Sequence, residues 1–198
     1  MKSKNQFMST KTMVLGAVMT ALVIVFQAIA NIPAISAFAS ALALIPITIG
    51  ACLCGPIIGA WLGLVFSIVV FIPPSPFLIS FISFNLPISV MLTVAKGVAC
   101  GFVAGVVYKA LSKVNDLLAI IVTAIACPTT NTGVFMLGCL IFFFKDINEA
   151  EQIQGTDGVG FGAFAVMILF SYLFELALCV VLTPTIVKLV KLRKKQTK

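Results

Sequence analysis

Two ionisable side chains, Lys96 and Glu175, stand inside long apolar runs of a 198-residue chain that contains no histidine. A lysine and a carboxylate so placed can neutralise each other, pass a proton or hold a polar solute. Without imidazole there is no His-based triad, relay or metal site, and no Ser–His or Cys–His pair to make a nucleophile. Cys52, Cys54, Cys100, Cys127, Cys139 and Cys179 all fall in apolar runs without CxxC spacing and read as small packing residues. No GxxxxGK[ST] loop is present to cradle a nucleotide. Gly158, Gly160 and Gly162 approach a GxGxxG pattern, but they follow an acidic segment rather than a strand. These features predict a protein that is not an enzyme and uses neither metal nor cofactor.

The polar company of the two charges decides what they are for. Asn85, Ser89, Thr93 and Lys96 recur at helical spacing, which puts them on one face leading to the charge. Thr129, Thr130, Asn131 and Thr132 follow Pro128, whose missing amide frees a carbonyl and bends a helix. Ser171 and Tyr172 precede Glu175. At 1.5 Å per helical residue, Lys96 and Glu175 lie roughly 16 and 22 Å below the outer ends of their helices, near mid-membrane. Two readings stay open. In one, Lys96 and Glu175 form a structural ion pair and the hydroxyls and amides make interhelical bonds worth about 0.6 to 2 kcal/mol each. In the other, Asn85, Ser89, Thr93, Lys96, Thr130, Asn131, Tyr172 and Glu175 line a cavity that receives a solute.

The elements that must position these residues are membrane helices. No charge occurs from position 12 to position 95, and the chain is 61% hydrophobic and 10% charged. A charge at the centre of a bilayer costs roughly 2.5 to 3.5 kcal/mol on insertion scales, so this pattern describes a multispanning protein. The expected fold is all-α, a compact bundle of six transmembrane helices in a single domain over 1–198. The helices are expected near 12–32, 36–54, 57–72, 85–111, 117–144 and 160–187, with a basic tail over 188–198. Ser9 or Thr10 caps the first helix and Pro33 ends it, and the first helix reads as a retained span rather than a signal peptide. The segments 73–84 and 145–158 read as external loops. Of the 13 Lys and Arg, all but Lys96 and Lys145 then fall on one side, which sets both termini in the cytoplasm. The formal charge of +7 is thus an orientation signal, not a nucleic-acid footprint. Gly55, Gly59 and Gly63, and Gly97, Gly101 and Gly105, form GxxxGxxxG ladders for close helix packing, and Ala17 and Ala21 add a small-xxx-small step.

The runs LIPITIGACLCGPIIGAWLGLVFSIVVF from Leu44, AKGVACGFVAGVVYKAL from Ala95 and CPTTNTGVFMLG from Cys127 resemble the substrate-binding S components of energy-coupling factor (ECF) vitamin transporters. The likeness covers nearly the whole chain, and Asn131-Thr132-Gly133 looks most like the pantothenate-type branch. The resemblance implies a protein of the bacterial plasma membrane that captures a vitamin outside and releases it inside. It implies partners too: a transmembrane T component, docking on an AxxxA motif matched by Ala17 and Ala21, and two ATPase subunits. The solute would sit among the outer parts of helices four to six, covered by the segments 31–40 and 73–84. Riboflavin, folate and biotin are the alternative cargoes. A self-contained secondary transporter gated by Lys96 and Glu175 is a competing class, disfavoured by the missing inverted repeat. A membrane-embedded enzyme fits least, since only those two residues could move a proton.

Overall fold

The computed structural model describes residues 10–30, 36–72, 74, 76–153 and 160–196. Ser9, Pro33, the cover segment at 31–35 and the stretch 154–159 lie outside the described residues. The described chain is helical, apart from short turns and one isolated antiparallel bridge between Phe71 and Pro74. Its helices are α1 Thr10–Ala30, α2 Ser36–Cys54, α3 Pro56–Val69, α4 Pro76–Phe84, α5 Leu86–Leu111, α6 Asp116–Gly138, α7 Phe144–Ile153 and α8 Gly160–Gln196. A π-helical turn, Cys139–Phe143, joins α6 to α7.

Among the described residues four helical stretches are long and apolar enough to cross a bilayer: Thr12–Ala30, Leu86–Leu111, Asp116–Glu149 and Phe164–Thr185. Two of the six expected crossings correspond to α2 and α3, which contribute the shorter apolar helices Ala41–Cys54 and Pro56–Val69. Burial explains why α2 tolerates its length. Ala41, Ala43, Leu44, Ile47, Thr48 and Ala51 are fully buried on every side of it, so it is enclosed by protein, as a helix apolar all round must be. Around α2 stand α1, α3, α5, α6 and α8. The main apolar cluster is correspondingly built from α2 with Val23, Leu62, Phe66, Cys100, Ala104, Cys127 and Cys179.

Three segments differ from the sequence-based expectation. The stretch expected as an external loop holds α4, in which Leu78 and Phe81, three apart, are both buried; one apolar face is enough to fold it back onto the bundle. The polar segment after Phe144 is also helical, as α7. Ile147 packs into the bundle while Lys145 and Glu149 point outward and pair at 3.6 Å across one turn. Finally α8 continues through Pro184 to Gln196. Lys188, Lys191, Arg193, Lys194 and Lys195 are good helix formers.

Close backbone approach fixes the centre. Gly55 has φ 92°, a left-handed conformation suited to glycine, and turns the chain from α2 into α3. The two glycine ladders then face each other, since a Cβ on Gly59 would strike the carbonyl oxygen of Gly101, and one on Gly63 that of Gly97. The Ser67 hydroxyl crosses the same seam, bonding the Thr93 carbonyl at 2.9 Å and the Gly63 carbonyl at 2.9 Å. Gly133, by contrast, has open space where a Cβ would stand. Gly101→Leu is therefore expected to destabilise the protein by about 3 kcal/mol, since backbone is the obstacle. Gly133→Ala should be neutral or stabilising by about 0.5 to 1 kcal/mol. Thermal unfolding of the detergent-purified variants checks both, and equal effects at the two sites would contradict the packing described.

Candidate solute-binding site

Lys96 sits on α5 between two apolar clusters. One helical turn below it Cys100 belongs to the main core, and one turn above it Leu92 belongs to an outer cluster with Phe81, Phe135, Cys139, Phe143 and Ile147. The same alternation occurs on α6, where Asn131 stands between Cys127 of the main core and Phe135 of the outer cluster. It occurs again on α8, where Glu175 stands between Cys179 of the main core and Ile168, which packs on the outer cluster. Lys96, Asn131 and Glu175 thus form one polar layer between two dry ones.

The geometry of that layer is unusual for a closed bundle. Among the described residues the ion pair within 4.0 Å is Lys145–Glu149, at the surface. Lys96 and Glu175 are near enough for their charges to interact but do not meet at that distance. The Lys96 ammonium instead lies 4.6 Å from the centre of the Phe135 ring. Asn131 Oδ1 and Glu175 Oε2 are buried and accept no hydrogen bond from the described residues. A buried acceptor left unpaired costs about 1 to 3 kcal/mol, so two at one level make this layer the candidate site.

The other predicted residues are engaged within the chain. Asn85 is the N-cap of α5, its Oδ1 accepting from the Ile88 amide at 3.3 Å. The buried Ser89 hydroxyl serves the Phe81 carbonyl at 2.7 Å and the Asn85 carbonyl at 2.8 Å, tying the end of α4 to the start of α5. Thr93 is buried one turn above Lys96, against the seam with α3. Thr130 is partly buried beside Asn131. Tyr172 bonds Thr129 at 2.9 Å, and because the Thr129 hydroxyl already serves the Ile125 carbonyl at 2.7 Å, tyrosine is the donor. The face from Asn85 to Lys96 therefore holds helix ends together at its upper part, and the residues brought to one level with free capacity are Lys96, Asn131 and Glu175.

Sequence reasoning did not find Phe135. It lies four residues, one turn, beyond Asn131, and its place over the lysine depends on how α5 and α6 pack. Ala17 and Ala21 are far from this layer, exposed on the outward side of α1, while Gly16, Met19 and Val23 turn toward the bundle. Ser89→Ala is expected to cost about 1 kcal/mol of stability and to speed amide exchange across 78–84, because the bond that holds the end of α4 is lost. Hydrogen-exchange mass spectrometry checks this, and unaltered exchange there would show that the tie does not restrain α4.

No curated protein and no solved structure matches the chain. A family model described as the ECF transporter substrate-specific component matches residues 11–187. That match takes in the apolar helices and the polar layer alike, and this chain belongs to the family of substrate-specific components of ECF transporters.

Proposed function

We propose that the protein is a pantothenate-binding S component that captures its solute at the outer face and releases it inside when assembled with a T component and two ATPases. The observation that carries this reading is a pair of buried acceptors, Asn131 Oδ1 and Glu175 Oε2, unpartnered among the described residues, at the level of a lysine that has no carboxylate of those residues within 4.0 Å. Pantothenate has the complementary groups: a carboxylate for Lys96, and two hydroxyls and an amide N–H for the two acceptors. Thr130 and Thr93 flank the same layer, Tyr172 closes its α6–α8 side, and Asn85 and Ser89 shape its mouth beneath α4.

In this reading the chain is one domain that crosses the membrane six times, α2 and α3 being short enclosed crossings, with both termini in the cytoplasm. Its outer surface suits a body that reorients in lipid. Val14, Val18 and Val25 on α1, Ile57 and Trp61 on α3, and Met167 and Phe170 on α8 are all exposed, an apolar area that water would not tolerate. The T component docks on α1 across Ala17 and Ala21, where small side chains let a second helix approach.

Mass spectrometry of the detergent-purified protein should find pantothenate travelling with it, whereas riboflavin, folate or biotin in its place would reassign the cargo. Lys96→Met should weaken pantothenate binding by about 2 kcal/mol, roughly 30-fold, as expected for a lost charge-assisted bond. Unchanged affinity for every anionic vitamin would reduce Lys96 to a structural residue. Replacing Ala17 and Ala21 with leucine should spare binding by the isolated protein and abolish uptake by the full transporter; loss of both activities together would argue against a docking role.

A further inference from the structure

We propose that Phe135 is the positioning residue of the binding lysine, presenting the Lys96 ammonium to the solute and thereby setting the preference for an anion. This rests on the reading of Lys96 as a solute ligand. A lysine stem has many rotamers, and an ammonium without a fixed partner would spread over them. The negative face of the Phe135 ring supplies the fixed point, 4.6 Å from the charge.

The ring is itself held. Phe135 is nearly buried, and Phe81 of α4 meets it edge to face, with centroids 5.5 Å apart and planes at 63°. Phe81 in turn packs against Phe143 at 5.3 Å and 88°. Its carbonyl is bound by Ser89 at 2.7 Å. The chain of contacts runs from the π-helical turn and α4, through two rings, to the ammonium.

A cation resting on a ring differs in one respect from a cation in an ion pair. An incoming carboxylate would have to displace a carboxylate of the protein from an ion-paired lysine, with no gain in charge pairing. From a ring face it gains a charge-assisted bond that was not made before. The arrangement thus orients the ammonium without satisfying it, and it does so beside two acceptors that are also unsatisfied.

Two measurements test the assignment. In the ligand-free protein, thermal midpoints of Phe135→Leu, Lys96→Met and the double variant should be non-additive, the double melting no lower than the worse single variant. In binding, the preference for pantothenate over its uncharged alcohol, pantothenol, should fall at least fivefold in Phe135→Leu. Phe135→Trp, which keeps a π face, should retain it. Additive midpoints overturn the proposal, as does an unaltered preference in a leucine variant that binds. If the wild type binds neither compound while the midpoints are non-additive, the pantothenate reading falls and the positioning of Lys96 by Phe135 stands.

Discussion

Lys96 carries a charge into a bundle whose two buried clusters are apolar, and no carboxylate of the described residues lies within ion-pair distance of it. Taking an ammonium out of water costs several kcal/mol even after relaxation. The ring of Phe135 and the field of Glu175 offset part of that cost. The same level holds two acceptors, Asn131 Oδ1 and Glu175 Oε2, with no hydrogen bond from the described residues.

The glycine seam is what makes such an arrangement possible. With Gly59 against Gly101 and Gly63 against Gly97, α3 and α5 pack backbone to backbone, and the opposite side of α5 can be pressed onto α6. Lys96 is one residue from Gly97, so its position is tied to the close backbone contact between Gly63 and Gly97. Side chains of ordinary size at the seam would move α5 outward and draw the ammonium away from Phe135. Packing at one face of the helix therefore governs electrostatics at its neighbour.

The outer cluster has a different character from the main core. The main core is built of small and branched residues around α2, whereas the outer one is largely phenylalanine contributed by α4, α6, the π-helical turn and α8. Its edge-to-face ring pairs, at 5.5 and 5.3 Å, each contribute about 0.5 to 1.5 kcal/mol beyond the area they bury.

Much of the fold was legible because a bilayer permits few spanning structures: uncharged apolar runs must be helices there, and the prolines and basic clusters punctuate them. The ladders at Gly59 and Gly101 were equally legible as close-packing surfaces, since nothing but small size explains glycine at that spacing. Hydropathy did not reveal α4 or α7, because both are short and depend on one buried face, through Leu78 and Phe81 or through Ile147, that forms only against the assembled bundle. The fixed rise per residue also let the sequence place Lys96 and Glu175 deep within their helices rather than near the ends. Only tertiary structure decided that Asn85 and Ser89 bind helix ends, that Lys96 rests on Phe135 rather than on Glu175, and that Asn131 and Glu175 keep an acceptor free. Depth along a helix is a local property of the chain, whereas the partner a side chain meets depends on how neighbouring helices are rotated, and that is set by contacts distant in sequence.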